Sequence, residues 1–186
     1  MPGVGGVEGL RLALLAALMS LAAPIAAQER AKHALGDFEH KATSNGILLA
    51  APHGMYDANT PQIALGAANE LGAGYLVARG FRADNRRINV NRPTEGANLP
   101  CVQELRTDRA QEVYDRYLEQ AKKAAGGVPL RLYVEVHGNV HPPSVNRIEV
   151  AAMGLSPAQA RAVKAAYPAM LARVREQTPG YPELAL

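Results

Sequence analysis

From Gly46 to Ala51 the chain is apolar without alternation, and the run breaks at Pro52-His53-Gly54. A short apolar run closed by turn residues predicts a buried strand and a sharp turn. Thr60 then caps a predicted helix with Pro61 at its first position, running through Ile63, Leu65 and Ala68 to about Leu71, where Gly72 and Gly74 stop it. Tyr75 to Ala78 predicts the next strand, so the order is strand, helix, strand: a βαβ unit with parallel pairing. Residues 80–106, rich in Gly, Pro, Asn and Arg, predict a long loop, functional or disordered. Thr107 opens a second helix, with Ala110, Val113, Tyr114, Tyr117, Leu118 and Ala121 at helical spacing, and Gly126-Gly127 end it. Leu130 to Val136 alternates in part and predicts a strand ending at His137-Gly138-Asn139. A loop over 138–146, a strand from Arg147 to Ala152 and a helix capped by Ser156 complete the chain. Ala162, Val163, Ala166, Met170, Leu171 and Val174 give that last helix one apolar face. The expected fold is α/β, a mixed and mostly parallel sheet flanked by helices.

The first 44 residues read differently. Arg11 precedes an apolar run, Leu12 to Ala23, relieved only by Ser20; Pro24 and the small residues to Ala27 come next. A basic start, a short apolar centre and a small-residue exit mark a secretory signal over 1–27. The run is short for a bilayer, which needs about 20 apolar residues. We therefore expect a periplasmic or secreted protein without a membrane anchor once the signal is cleaved. Residues 28–44 are polar and mixed, and predict a lead-in with little structure. Residues 45–186 are then the working domain, a size suited to a single core.

Charge adds little. The net charge is +3, and removing 1–27 takes away one base (Arg11) and one acid (Glu8), leaving it unchanged. Arg79, Arg82, Arg86, Arg87 and Arg92 cluster along the chain, but Asp84 interrupts them and few aromatics lie nearby. A nucleic-acid surface needs a broader basic stripe or stacking rings, so no nucleic-acid partner is expected. Cys101 is the only cysteine, which excludes an internal disulfide; beside Pro100 it could serve as a nucleophile, but a buried or inert thiol is the expected reading. No Gly-x-Ser-x-Gly elbow, phosphate loop or Cys-x-x-Cys pair occurs.

The residues best placed for chemistry are His53 and His137, each just past the carboxyl end of a predicted strand. Ligands of open α/β sheets collect outside those ends, and parallel strands would bring both imidazoles to one rim. Asp57, four residues after His53, is close enough to share a metal across a turn. Two His and one carboxylate leave one tetrahedral position open for water, the layout of a catalytic zinc site. Gly54 and Gly138 permit close approach of backbone or ligand. His141 competes as a ligand four residues after His137, while His33 and His40 fall in the polar lead-in and read as bystanders.

Three motifs carry a resemblance: Ala51-Pro-His-Gly54 with Asp57 and Thr60, Asn89-Val-Asn-Arg-Pro-Thr-Glu-Gly96, and Val134-Glu-Val-His-Gly-Asn139. Together, over about residues 46–170, they resemble the N-formylglutamate amidohydrolase family, itself similar to zinc carboxypeptidases and poly-γ-glutamate hydrolases. The resemblance implies a phosphorylase/hydrolase-like α/β fold and a Zn2+ held by His53, Asp57 and His137. It also implies that Asn91 and Arg92 grip a substrate carboxylate, which a guanidinium fork does bidentately. Arg82 is a candidate to polarise the scissile carbonyl, in competition with Arg79, Arg86 and Arg87. Relatives often carry Asp where this chain has Asn89.

A zinc amidohydrolase also needs a carboxylate to accept a proton. Glu149, on the strand expected after His137, and Glu135, two residues before His137, are the two candidates, with Glu135 also readable as a support for His137. The expected function is an exported zinc-dependent hydrolase of an amide bond next to a carboxylate, acting on a small carboxylate-bearing amide or peptide. The alternative is a non-catalytic exported domain that binds a metal or a carboxylated ligand.

Overall fold

A computed structural model describes residues 29–83, 86–96, 99–139 and 145–186; the expected signal over 1–27 and His141 lie outside them. The described chain falls into two compact units, one ending at His137 and one running from Gly138 to Leu186.

The first unit is built on a five-stranded sheet of β1 (Glu29–His33), β2 (Gly36–Lys41), β3 (Ile47–Ala51), β4 (Gly74–Gly80) and β9 (Leu132–Glu135). The spatial order is β1-β2-β4-β3-β9. β3 pairs in parallel with β4 and β9, while β1–β2 and β2–β4 are antiparallel. The sheet is therefore mixed in equal parts, not mostly parallel. The antiparallel half comes from residues expected to be a loose lead-in. Gly36–Lys41 is nearly all polar by sequence, yet Phe38, Glu39 and His40 are buried. Its charge is neutralised locally: Arg79 and Arg30 both reach Glu39, at 3.3 Å and 3.5 Å. Pairing of that kind lets a polar strand lie inside a sheet.

β3 is apolar without alternation because it is covered on both faces. Leu48 and Ala50 join Phe38, Leu76 and Ala78 against helix α2 (Asp108–Ala124), through Ala110, Val113, Tyr117 and Ala121. Leu49 and Ala51 join Tyr75 and Val77 against helix α1 (Thr60–Glu70), through Ala64 and Ala68. Helices thus lie on both sides of the sheet. Thr107 caps α2 as expected, its side chain accepting from Ala110 N. At α1 the cap falls one residue earlier, on Asn59 in a left-handed conformation, and Thr60 is the first helical residue. Gly74 is required by proximity, since a Cβ there would run into the Ala124 carbonyl at the end of α2.

The long excursion after β4 is not a loop. It folds into β5 (Arg82–Ala83), β6 (Arg86–Asn89), β7 (Thr94–Glu95) and β8 (Leu105–Arg106), a small antiparallel sheet, with a 3-10 turn at Cys101–Gln103. Buried Ile88 and Val90 tie it to the core. Its effect is to hold the β6–β7 turn, residues 90–93, in place.

The second unit holds α3 (Pro157–Gln177), with the expected Ser156 cap reinforced by a reciprocal bond from Gln159. The strand expected over Arg147–Ala152 is absent: Arg147 makes only an isolated bridge to Ala185. No residue of α3 is fully buried; Tyr167 and Leu171 are half-buried, and Tyr167 OH donates to Leu184 O at 3.0 Å. About 49 residues with one helix offer little to pack against that helix.

Candidate metal centre

The parallel register of β3 and β9 pairs Ala50 with Glu135, and Val136 N donates to Ala50 O at 2.8 Å. His53 and His137 therefore leave the sheet at the same end, a few residues later. Between β3 and α1 the chain winds tightly: Tyr56 N and Asp57 N both donate to the His53 carbonyl, at 2.8 Å and 2.9 Å. Thr60 Oγ1 donates to the Asp57 carbonyl at 2.9 Å. This winding turns Asp57 back toward the His53 ring. Gly54 makes it possible by lying against β4, where its N–H donates to Ala78 O at 3.1 Å.

Three atoms then converge. His53 Nδ1 is 3.4 Å from Asp57 Oδ2 and 3.3 Å from His137 Nδ1, and His137 Nδ1 is 3.7 Å from Asp57 Oδ2. A tetrahedral cation with bonds near 2.1 Å spreads its ligand atoms about 3.4 Å apart. The triangle fits such an ion nearly as it stands, and His53, Asp57 and His137 can hold a metal ion. The His137 side chain is 38% exposed against 20% for His53 and 18% for Asp57, so the group opens to solvent on the His137 side.

Comparison with protein-family models, curated proteins and solved structures returns no match. Identity of the site therefore rests on its own geometry.

Behind the triangle, each imidazole is held through its other nitrogen. His137 Nε2 meets Glu135 Oε2 at 3.1 Å. Glu135 also accepts from Asn91 Nδ2 at 2.9 Å, Tyr133 OH at 2.5 Å and Tyr117 OH at 3.2 Å. Burial works against the Glu135 charge, but the bonds from His137, Tyr133 and Asn91 outweigh it and hold its pKa at about 2. The same contact with Glu135 raises the His137 pKa against the opposing effect of burial. Burial is the main influence pushing both tyrosine hydroxyls upward, and the Glu135 charge adds to it, so they stay neutral donors. On the other side, His53 Nε2 lies 3.1 Å from the Asn89 amide, whose Nδ2 faces the ring while its Oδ1 accepts from Arg92 Nη2 at 2.8 Å and Nε at 2.9 Å. Metal-bound histidines ordinarily carry a support of the kind that Glu135 gives His137.

Of the expected substrate residues, Arg92 sits on the β6–β7 turn beside this cluster, where its charge opposes protonation of His137. Its Nη2 donates to Glu104 Oε1 at 2.9 Å. Asn91 is committed to Glu135, not presented alongside Arg92. Arg79 pairs with Glu39, and Arg87 lies over the Tyr56 ring at 4.2 Å; Arg82 is exposed on β5. Glu149 belongs to the second unit, where Asn139 donates to it at 2.8 Å.

Sequence reasoning missed Tyr117, Tyr133 and the contact of Asn89 with His53. One signal was available. Tyr133, Glu135 and His137 are alternate residues leading out of one strand, and alternate residues share a face.

Proposed function

We propose that this chain is a zinc-dependent hydrolase of an amide bond next to a carboxylate, of the N-formylglutamate amidohydrolase kind, acting on small carboxylate-bearing amides or peptides. The observation that carries the reading is the His53–Asp57–His137 triangle with Glu135 backing the His137 ring. Support also comes from the meeting of all three motifs: His53 and Asp57 from the first, Asn89 and Asn91 from the second, Glu135 and His137 from the third. The mixed sheet with helices on both faces is compatible with a phosphorylase/hydrolase-like arrangement. The apolar run behind Arg11 supports export to the periplasm or beyond. Among the described residues no helix is long and apolar enough to cross a membrane.

Zinc, when bound, supplies Lewis-acid polarisation of a carbonyl and acidifies water. The chain's own groups supply position. Arg92, 53% exposed, takes the substrate carboxylate in its fork in place of Glu104. Glu135, with its oxygens occupied by four donors, orients His137 and is poorly suited to accepting a proton. Substitution decides the proton acceptor: Glu149→Gln with zinc retained and turnover lost assigns the step to Glu149, and retained turnover removes Glu149 from it.

The occupied state of Glu135 also favours a second reading, a domain that binds metal and carboxylate without turnover. Metal analysis after chelation and zinc reloading, with an amidase assay on N-acyl-glutamates, separates the two. One zinc per chain and hydrolysis, both lost in His53→Ala, is the expected result. One zinc without hydrolysis supports the binder, and no bound zinc ends both readings.

A further inference from the structure

Glu104 occupies the donors that a carboxylate ligand of Arg92 would need. Its Oε1 accepts from Arg92 Nη2 at 2.9 Å and its Oε2 from Thr94 Oγ1 at 2.5 Å, so each carboxylate oxygen has a donor. The Glu104 side chain is 6% exposed, and a carboxylate is buried this far only when it is paired. The guanidinium is held independently of Glu104: Asn89 Oδ1 accepts from Nε at 2.9 Å and from Nη2 at 2.8 Å. That contact uses the Nη2 hydrogen on the Nε side, and the one left for Glu104 is the hydrogen beside Nη1. Nη1 itself has no acceptor among the described residues.

Little else ties down the segment that carries Glu104. It lies between the 3-10 turn at Cys101–Gln103 and β8, and its neighbours Val102, Gln103, Leu105 and Arg106 are all exposed, Val102 almost wholly. β8 is two residues long and pairs with β7. The segment thus lies on the surface and tucks one carboxylate inward. A stretch with few buried contacts opens at low cost. When it lifts, Asn89 keeps the guanidinium in place. The vacated Nη2 hydrogen and Nη1 then make a complete fork, with the Thr94 hydroxyl beside it.

Resting on the reading of Arg92 as the carboxylate-binding residue, we propose that Glu104 is an internal ligand of that site. It plugs a cradle made by Arg92 and Thr94, and an incoming carboxylate binds by exchange with it. Thr94 is then a further substrate-contacting residue. The exchange sets one carboxylate against another, so the apparent affinity is reduced by the fraction of chains in which the cradle is open. It also selects. A ligand must bring a full negative charge and two acceptor oxygens to match what Glu104 gives up, and a neutral amide brings neither.

The test is the affinity of the full chain for glutarate, a dicarboxylate with no amide bond, by calorimetry. Titrations with zinc loaded and again after chelation separate a carboxylate on the metal from one on Arg92. Glu104→Gln keeps the shape and removes the charge, and is expected to tighten glutarate about tenfold or more. Thr94→Val should change little on its own, because resident and entrant lose the same bond, but weaken glutarate about fivefold in the Glu104→Gln background. In Arg92→Ala binding should be lost. The unsubstituted chain has its own readout: glutarate should quicken amide exchange over residues 102–106 as the plug is expelled. Unchanged or weaker glutarate in Glu104→Gln overturns the proposal and makes Glu104 a prop for Arg92. So does exchange over 102–106 that slows or stays the same in the wild type, or binding that survives Arg92→Ala. Zinc content is read on the same samples. Its absence fails the metal centre, while the chelated samples still decide the exchange.

Discussion

Glu135 is the most constrained side chain around the triangle, and its contribution is separable from that of the ligands. In Glu135→Gln the shape is kept, but the amide presents a donor to groups that are themselves donors. We expect zinc affinity to fall about 10–100-fold, read by chelator competition, with Tyr133→Phe giving a smaller loss because three donors to Glu135 survive. An unchanged affinity in Glu135→Gln would deny it any role in orienting His137. Glu95, buried like Glu39, is a carboxylate outside the triangle. Arg109 bonds to both its oxygens and Thr107 Oγ1 donates at 2.7 Å. The Arg109 bonds pull its pKa below 4.5 against burial, with help from Thr107. The folded state thus binds fewer protons than the unfolded one. The stabilisation is present above about pH 4.5 and is lost as pH falls through the lower folded value. Glu95→Gln should cost about 1–3 kcal/mol at pH 7 and flatten the acid limb of the urea-midpoint profile. Of these residues the two histidines and Asp57 were legible from position alone. Tyr117 and Asn89 were not, because their contacts cross between elements whose relative placement no local pattern encodes.

Among elements, the turn between β3 and α1 decides the site more than either strand does. A Cβ on Gly54 would come within 2.8 Å of Ala78 O and 2.9 Å of Val77 Cγ1, with Pro61 beside it. Gly54→Ala should therefore cost about 1–3 kcal/mol and weaken zinc binding, since the turn that carries His53 and Asp57 must lift away from β4. Gly66 is the contrast: nothing lies within 4 Å of an added Cβ on that face of α1. Gly66→Ala should stabilise by about 0.5–1 kcal/mol with zinc affinity unchanged. Thermal melts and zinc titrations of the pair test both halves. β3, β4, α1 and α2 were legible because periodicity and capping residues agreed. The β1–β2 pair was not, since Gly36–Lys41 offers one strong apolar residue, Phe38, and its burial depends on arginines from two neighbouring strands. The small sheet over 82–106 was hidden for a related reason: its strands are two to four residues long, below the length at which alternation can be seen.

At the scale of the molecule, the unit ending at His137 contains the sheet, both covering helices and every ligand of the triangle. A chain ending at Asn139 is expected to unfold cooperatively in a circular-dichroism melt and to bind zinc as the full chain does; a non-cooperative melt would show that the first unit needs the second in order to fold. The apolar stripe of α3 was legible in the sequence, but such a stripe states only a need for cover and not what provides it. The sheet's outer boundary has a consequence of its own. β9 ends the strand order, bonded to β3 on one side and to no other strand among the described residues, and Leu132, Tyr133 and Val134 are each more than a third exposed. A strand held by one ladder frays at far lower cost than the interior of a sheet. A cation clasped between His53 and His137 would stitch that loose margin back to its neighbour. Stripping the ion should quicken amide exchange along β9 while leaving β4 as slow as before, and equal rates with and without the ion would unpick the stitch.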